Sequence, residues 1–507
     1  MKKTLALLLT MILLATMMPM ALAEAAPTKI VMVCPYYGDP SSEAGYKMVQ
    51  DYILEQTGVL VEAYRYDTNN NRVQQTNFLL SRGEQVDMWM DNYVEYKGYG
   101  QVQPITNYME YIPHVVEMWE PYNGFKFVTD KDGEIWGIPR YVSMTFHMTF
   151  FRQDWLDLLG FEQPKTFDEM EKFLYAVKEA DPYGNGETIP MITRSGDIDR
   201  LAYHFLGGFT KFGYANWIDE TDGRLKPYYL QEGFYDFLAK MAQWYKDGII
   251  HLENPSWNLA TVRKMFAAGR VAVSGAYGTD LCNQYITMRQ NVPGSSWWYD
   301  DQGMIGPNGE ITETVISGDD QAVMINAKSS EEQLIACLKF IDWVYSDFDN
   351  IITVEKGIKG VHWDYDDSVE NAKELKIVKM LPHATDIAYK SDFWACIGLC
   401  TESAPYISDP DGVQNMQNMM LRKQKELNYA KRPVDEGVIY DTSVRDENVP
   451  TAADINTMRK ERMMAFFTGA EELTPEAWDA FIAELYDLGL DDYIDEYTRQ
   501  YKEAKGL

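Results

Sequence analysis

The sequence feature that most constrains the fold is an alternation of short apolar runs with helical patterns early in the chain. Residues 30–34, 59–66 and 86–90 form three such runs. The first run, IVMVC, is uninterrupted, which is typical of a strand that is buried on both faces of a sheet, and the other two runs also predict strands. The stretches between them carry apolar residues at helical spacing, and the first helical pattern ends at Gly58. Strand, helix, strand, helix, strand is the pattern of a parallel sheet with right-handed crossovers.

The rest of the chain repeats this mixture with longer helices. Thr166 and Glu169 have the spacing of a capping box, and apolar residues follow them at i, i+3, i+4 and i+7. Residues 270–275 and 321–325 are predicted strands, and the chain from Thr451 onward is periodic, charged and mostly helical. No Ser/Gly/Pro-rich linker separates these parts. The sequence therefore predicts an α/β protein whose lobes are joined by several crossovers, with a helical C-terminal region.

The charge of the chain excludes two classes of partner. Its formal net charge of −31 disfavours nucleic acid and anionic lipid, which both select Lys and Arg. Lys2 and Lys3 precede an apolar run that ends near the small-x-small triplet Ala21-Leu22-Ala23. We therefore expect residues 1–23 to be a cleavable signal peptide and the protein to be extracytoplasmic, in the periplasm or at the cell surface. No Cys lies at the cleavage point to carry a lipid anchor.

Seven segments of this sequence, in order, resemble one known family. They are Asp132–Arg140, Phe150–Met170, Asp181–Pro190, Phe266–Val273, Phe340–Ser346, Gly357–Tyr365 and Leu485–Ala504. Together they resemble the extracellular solute-binding proteins of family 1, in the large lipoprotein-like branch that serves ABC importers of oligosaccharides. The resemblance spans nearly all of the chain after the expected signal peptide. One departure is the lack of the lipidated Cys with which many relatives begin.

The resemblance implies a two-lobed periplasmic-binding-protein type II fold whose lobes are linked by a hinge. We expect residues 24–143 plus about 318–400 to form the N-terminal lobe. Residues from about 144–317 plus about 401–507 would form the C-terminal lobe and its helical extension. The implied function is to capture a carbohydrate, an oligosaccharide, in the cleft between the lobes and to deliver it to an ABC-type permease. We expect a monomer without a cofactor.

A loop with the opening of an EF-hand-like calcium site begins at Asp181. The resemblance implies calcium binding through oxygens at alternate positions of this loop, here Asp181, Asn185 and the carbonyl of Glu187. However, position 3 is Tyr183, which has no carboxylate, and position 12 is Ile192. Hard cations need six to eight oxygen ligands. We therefore predict a structural turn without a metal ion, in which these three residues are only weak candidate ligands.

Ligands of open α/β sheets lie beyond the carboxyl ends of the strands, and this rule selects candidate binding residues. A sugar offers hydroxyl groups, which Asp, Asn and Arg can bind, and ring faces, on which aromatic side chains pack. The candidates that follow predicted strands are Tyr36, Tyr37, Asp39, Asp91, Asn92, Tyr93 and Tyr277. Arg140 ends the motif GIPR near the expected first crossing between lobes, where it either binds a ligand oxygen or makes a structural ion pair.

Tryptophans in polar segments are further candidates for stacking on sugar rings. Trp297 and Trp298 lie in the sequence PGSSWWYDDQG, which predicts a loop, and adjacent bulky aromatics in a loop are poor core material. Trp257 and Trp394 occur in similar surroundings. The alternative for each is packing between lobes or on the surface. His204 lies among aromatic residues and is a predicted core residue.

Two other functions remain open from the sequence. A secreted glycoside hydrolase would need only two carboxylates about 5–10 Å apart, which sequence spacing cannot identify. No nucleophile elbow, zinc triplet or Gly-rich phosphate loop is present, so we predict no enzyme activity. A ligand sensor for a membrane receptor would use the same cleft.

Overall fold

The computed structural model describes residues 26–33, 43–64, 72–140, 143, 147–300, 303–386, 406–407 and 430–507. The strands are β1 (Thr28–Val33), β2 (Val59–Tyr64), β3 (Met88–Asn92), β4 (Val102–Gln103), β5 (Ile138–Pro139), β6 (His147–Arg152), β7 (Ile189–Thr193), β8 (Trp217–Ile218), β9 (Leu225–Lys226), β10 (Val271–Tyr277), β11 (Trp297–Tyr299), β12 (Gln321–Asn326), β13 (Trp363–Tyr365), β14 (Ile377–Met380) and β15 (Tyr406–Ile407). The α-helices are α1 (Glu43–Thr57), α2 (Arg72–Arg82), α3 (Tyr93–Gly98), α4 (Pro113–Trp119), α5 (Gln153–Leu159), α6 (Phe167–Ala180), α7 (Ile198–Phe205), α8 (Phe234–Lys246), α9 (Leu259–Ala267), α10 (Gly278–Asn291), α11 (Glu331–Ser346), α12 (Phe348–Lys356), α13 (Thr442–Asn448), α14 (Ala452–Thr468), α15 (Pro475–Asp487) and α16 (Leu490–Lys505). Among these elements, no helix combines the length and the apolar character that crossing a bilayer requires.

The first sheet has the strand order β2-β1-β3-β12-β4, with β5 paired to β12. Strands β1, β2 and β3 are parallel, as their alternation with helices predicts. Strand β12 enters this sheet from more than two hundred residues further along the chain and runs antiparallel to β3. As a result, the amino end of β12 lies beside the carboxyl end of β3, with Gln321 opposite Asn92.

The second large sheet has the order β11-β6-β10-β7. Strands β7 and β10 are parallel, so their carboxyl ends, Thr193 and Tyr277, lie at the same edge. Strand β6 is antiparallel to β10, with His147 opposite Tyr277. Strand β11 extends this sheet on the far side of β6, with Trp297 opposite Arg152. Three short strands, β13 to β15, form a separate sheet, and β8 pairs with β9.

Each large sheet has its own apolar core. The first contains β1, β3 and β12 together with α1, α4 and α11. The second contains β6 and β10 together with α6, α8 and the C-terminal helices α14 to α16. The predicted capping box starts α6, because Thr166 Oγ1 accepts a hydrogen bond from Glu169 N at 3.2 Å and Glu169 Oε2 accepts one from Thr166 N at 3.0 Å. The apolar stripe of this helix is fully buried.

The chain passes between the two sheets along segments that lie side by side. Gly318 N donates to Ser143 Oγ at 3.3 Å, and Gly437 N donates to Ser317 Oγ at 3.0 Å. Val315 N also donates to the carbonyl oxygen of Lys431 at 2.8 Å. Three stretches of chain that are distant in sequence are thus joined where the two cores meet. We call this place the crossing.

Candidate ligand-binding site

Asn92 and Asp320 form the centre of a polar cluster at one edge of the first sheet. The side-chain amide of Asn92, at the carboxyl end of β3, donates to the carboxylate of Asp320. The backbone N–H of Tyr93 donates to the carbonyl oxygen of Asp320 at 3.0 Å, and Val94 N lies 3.4 Å from Asp320 Oδ2. The residues that precede β12 therefore satisfy the free N–H groups at the start of α3.

Arg140 joins the same edge through Gln321. Strand β5 ends at Pro139, so the next residue lies beside the start of β12. Arg140 N donates to the carbonyl oxygen of Gln321 at 3.1 Å, and its Nη1 donates to Gln321 Oε1 at 2.8 Å. Gln321 in turn donates to both oxygens of Asp319, from its backbone N at 3.0 Å and from its Nε2 at 3.1 Å. This hydrogen-bonded chain orients the buried guanidinium of Arg140.

The electrostatics of this edge are dominated by carboxyl groups. Burial raises the pKa of Asp319 to about 6, and the neighbouring Asp320 adds to the effect, while hydrogen bonds from Gln321 and the charge of Arg140 oppose it. Burial also raises the pKa of Asp320, against the hydrogen bond from Asn92. Ionising the carboxyl groups of Asp319 and Asp320 therefore costs free energy. This cost favours partners that donate hydrogen bonds to them, such as sugar hydroxyl groups.

The structure brings four of the predicted site residues together at this edge. They are Asp91, Asn92, Tyr93 and Arg140, of which all but Asn92 are buried. Sequence reasoning missed three others, Asp319, Asp320 and Gln321. The rule that ligands lie beyond carboxyl ends assumes parallel strands. Strand β12 is antiparallel and presents its amino end at this edge. The polar motif GDDQ, residues 318–321, is therefore the sequence signal for these three residues, and it lies at the start of a strand and not after its end.

The prediction that Trp297 and Trp298 lie in a loop is wrong. Both belong to strand β11, and Trp297 is only 9 % exposed, with its ring 4.4 Å from that of Phe266 between centroids. Trp298 packs on Phe151 with a centroid distance of 5.0 Å. Trp297 pairs with the last residue of β6, five residues from the end that pairs with Tyr277, which is roughly 17 Å along the strand.

Both tryptophans therefore lie toward the end of the second sheet that is opposite to the carboxyl ends of β7 and β10, where a ligand would be expected. Pairing with β6 holds the segment of Trp297 and Trp298 in a strand. Large aromatic side chains are favoured in strands because they fit a pleated, half-buried surface. A role for either ring in ligand binding stays a prediction without a supporting contact.

The remaining candidates fall into two groups. Trp257 is partly buried, and its ring lies 4.4 Å from that of His251, beside the apolar cluster of β7 and β10. Tyr277 ends β10 at the expected edge, but its side chain is not among those described. The candidates Tyr36, Tyr37, Asp39 and Trp394 lie outside the described residues.

His204 is buried at the edge of the second sheet, as predicted for a core residue. It lies on α7 against strand β10, where a Cβ on Gly275 would meet its imidazole at 2.6 Å. Burial lowers the pKa of His204 to about 3, with a further contribution from Arg200, so the imidazole is neutral at physiological pH. The glycine at this strand position is therefore required by packing.

In the predicted turn at Asp181, backbone N–H groups of the turn itself donate hydrogen bonds to the Asp181 carboxylate. Asp181 Oδ2 accepts a hydrogen bond from Gly186 N at 2.7 Å, and Oδ1 accepts one from Thr188 N at 3.2 Å. These bonds lower the pKa of the Asp181 carboxyl, as does a hydrogen bond with the Thr188 side chain, which contributes most. Within the described ranges, no group of three or more His, Cys, Asp or Glu side chains is arranged to hold a metal ion.

Curated relatives are binding proteins and lipoproteins of bacteria. The chain is 26 % identical over 259 residues to "Lipoprotein LipO" of Bacillus subtilis (strain 168), which covers 48 % of this chain and 49 % of LipO. It is 22 % identical over 413 residues to the "Polygalacturonan/rhamnogalacturonan-binding protein YtcQ" of the same organism, covering 80 % of this chain and 77 % of YtcQ. The match to LipO thus spans about half the length of that relative.

Solved structures share the fold over almost the whole chain. The alginate-binding protein AlgQ2 without calcium ion aligns with a TM-score of 0.67 at 19 % identity, covering 94 % of this chain and 98 % of AlgQ2. The Streptococcus pneumoniae substrate-binding protein FusA, an EF-hand mutant in complex with fructo-nystose, aligns with a TM-score of 0.64 at 18 % identity over 94 % and 99 % of the two chains. The prediction of a two-lobed α/β solute-binding fold is confirmed.

A family model agrees with these similarities in sequence and fold. The model for bacterial extracellular solute-binding proteins matches residues 47–356, which extend from within α1 to the end of α12 and include every strand of the two large sheets except β1. This match includes the polar edge formed by Asn92, Arg140 and Asp320. The chain belongs to the family of bacterial extracellular solute-binding proteins.

Proposed function

We propose that this protein captures an oligosaccharide in the cleft between two lobes and delivers it to an ABC-type permease. The N-terminal lobe would comprise residues 24–143 plus about 318–400, and the C-terminal lobe about 144–317 plus about 401–507. We further propose that the protein acts as a monomer outside the cytoplasm after loss of residues 1–23. Relatives that are binding proteins support this function over catalysis.

The observation that carries the proposal is the hydrogen-bonded edge formed by Asn92, Arg140 and the residues before β12. Asp319, Asp320 and Gln321 follow directly on Gly318, which belongs to the crossing. A sugar hydroxyl that binds at this edge therefore contacts the same stretch of chain that connects the two cores. Such a connection suits a protein in which ligand binding favours the closed arrangement of the lobes.

The charges at this edge favour a neutral sugar over a polyuronate. Among the described residues there, the carboxyl groups of Asp91, Asp319 and Asp320 lie at this edge, and Glu95 interacts electrostatically with Asp91 and Asp320. The guanidinium of Arg140, at the same edge, already donates to Gln321. A uronate needs cationic partners for its carboxylates, whereas neutral hydroxyl groups donate to Asp and Asn.

Titration calorimetry of the purified protein tests this proposal. Neutral fructo-oligosaccharides and manno-oligosaccharides are compared with galacturonate and alginate oligomers of equal length. We expect heat with a neutral ligand and a ligand-dependent rise in melting temperature. The variant Asn92→Ala is expected to lose about tenfold in affinity, because one hydrogen bond to the ligand is removed. The control Asn456→Ala, on α14, removes a side-chain bond within its own helix and should bind as wild type.

The outcomes separate the general proposal from the finer one. Binding of uronate oligomers in preference to neutral sugars would contradict the neutral-ligand assignment and leave carbohydrate binding intact. Absence of binding to every glycan tested would contradict the function itself.

A glycoside hydrolase would require a carboxyl group that is free to transfer a proton, and Asp319, whose pKa burial raises to about 6, is a candidate for that role. Both of its oxygens already accept hydrogen bonds from Gln321, which fits a structural role better. Incubating the protein with each bound oligosaccharide and analysing the products by chromatography decides between them. Cleavage that Asp319→Asn abolishes would establish the enzyme.

A further inference from the structure

The loop between α6 and β7, which begins at Asp181, is contacted from outside by an arginine. Asp181 and Asn185 adopt left-handed conformations, with φ of 45° and 62°. Besides the two bonds that Asp181 accepts, Tyr183 N donates to Thr188 Oγ1 at 2.9 Å. The loop is therefore closed on itself before any external group is considered.

Arg270 reaches this loop from the start of the neighbouring strand. It directly precedes β10, and its carbonyl oxygen accepts a hydrogen bond from Ile189 N at 2.8 Å. Its Nε donates to the carbonyl oxygen of Glu187 at 3.0 Å and lies 3.7 Å from Glu187 Oε2. The guanidinium carbon lies 5.9 Å from the ring centroid of Tyr183. One cation thus contacts two residues of the loop, Tyr183 at the third position and Glu187 at the seventh.

These contacts do not fit a calcium site. The carbonyl oxygen of Glu187, which would be the seventh-position ligand, already accepts from Arg270. The carboxylate of Asp181, the first-position ligand, faces backbone N–H groups. At the third position, where a carboxylate is needed, Tyr183 offers a ring to the guanidinium. Six to eight oxygens around one point cannot be assembled from these groups. A divalent cation would also be repelled by the adjacent guanidinium.

We propose that the guanidinium of Arg270 replaces the ion in this chain, so that the loop is held to the second sheet without calcium. Among solved structures that share this fold, that of FusA is of an EF-hand mutant and that of AlgQ2 is without calcium ion. Here a fixed cation binds the carbonyl that an ion would bind and joins the loop to the strand next to β7. This inference concerns a loop at the amino end of β7, and it stands whether or not the proposed sugar function is correct.

The first test measures the dependence of the wild-type protein on calcium. The full protein is stripped with a chelator, and its melting temperature is recorded with and without about 10 mM CaCl₂, roughly tenfold above the weakest dissociation constants for extracellular calcium modules. We expect the two melting temperatures to agree and calorimetry with CaCl₂ to give no binding heat. A calcium-dependent rise of about 2 °C or more, or a binding isotherm of one ion per chain, would overturn the proposal.

The second test removes the guanidinium. Arg270→Met keeps an unbranched apolar stem, and the matched control Lys264→Met changes an exposed cation on α9. We expect Arg270→Met to lower the melting temperature by about 2 °C and to speed amide hydrogen exchange at Gly186 and Thr188 severalfold. The control should leave both readouts unchanged. Wild-type protection of these two amides in Arg270→Met would overturn the role of Arg270, and the calcium titration decides the question independently if that variant does not fold.

Discussion

Replacing Asp319 by Asn should remove a specific pH dependence from the folding of this protein. Burial beside Asp320 raises the pKa of the Asp319 carboxyl to about 6 in the folded chain, against roughly 3.9 in an unfolded chain. Between these values the folded protein holds a proton that the unfolded chain has lost. The stabilisation is therefore fully present below pH about 4 and is lost as the pH rises through about 6.

The size of this effect follows from the pKa difference. A difference of about 2 pKa units corresponds to roughly 3 kcal/mol at 1.36 kcal/mol per unit. Because Asp319 is partly exposed, we reduce this figure to about 2 kcal/mol. In the variant, the asparagine side-chain oxygen still accepts a hydrogen bond from the backbone N–H of Gln321. Its NH₂ group, however, replaces the oxygen that accepted from Gln321 Nε2, so two donors face each other, which costs about 1 kcal/mol at every pH.

Urea unfolding at several values between pH 4 and pH 7.5 measures the prediction directly. We expect the unfolding free energy of Asp319→Asn, relative to wild type, to rise by about 2 kcal/mol across this range. The exposed Asp132, changed to Asn, serves as the control and should give a difference that does not depend on pH in this way. Parallel pH profiles for wild type and Asp319→Asn would refute the reasoning about burial at this edge.

Three further changes test the packing of the second sheet and its helices. Gly275→Ala should destabilise the protein by about 1–3 kcal/mol, because the new Cβ meets the buried imidazole on α7, while Gly98→Ala, which meets no atom within 4 Å, should be neutral in thermal unfolding. Trp297→Ala should cost about 3–5 kcal/mol of stability in the same assay and leave sugar affinity unchanged in calorimetry, since its ring is buried against Phe266. Arg459→Met should cost about 3–5 kcal/mol in urea unfolding, because it breaks the 2.9 Å ion pair with Asp199 and leaves that carboxylate without its guanidinium; the double variant with Asp199→Asn should lose less than the sum of the single losses.

Strands β1 and β2 of the first sheet could be predicted from sequence because the signals for them are local. Short apolar-rich runs predict β1 and β2, and Gly58, with φ of 70°, ends the helix between them as predicted. The capping box of α6 was equally readable, because both partners lie within one turn. In each case a few neighbouring residues decide the structure, so no knowledge of distant parts of the chain is needed.

The position of β12 and of β11 could not be predicted in the same way. Pairing of Gln321 with Asn92 depends on how the chain returns from the second sheet, which no local pattern encodes. The segment at Trp297 carries Gly, Ser and Asp neighbours that favour a loop, but pairing with Arg152 on β6 overrides that preference. Half of the polar edge was therefore missed, and two tryptophans were assigned to the wrong kind of structure.

The antiparallel entry of β12 also determines what the polar edge can do. If β12 were parallel to β3, its carboxyl end would provide the polar groups and the crossing would lie at the opposite end of the sheet. In the observed direction, Asp319 and Asp320 lie between Gly318 of the crossing and the strand partner of Asn92. A ligand can shift the equilibrium between open and closed lobes only by its difference in affinity for the two states. The contacts of groups that move with the crossing can differ between these two states. Substitutions at Asp320 should therefore change the extent of closure as well as ligand affinity. Substitutions at Asp91 should change ligand affinity alone. Small-angle scattering with and without ligand distinguishes these effects, and equal closure in both sets of variants would contradict the argument.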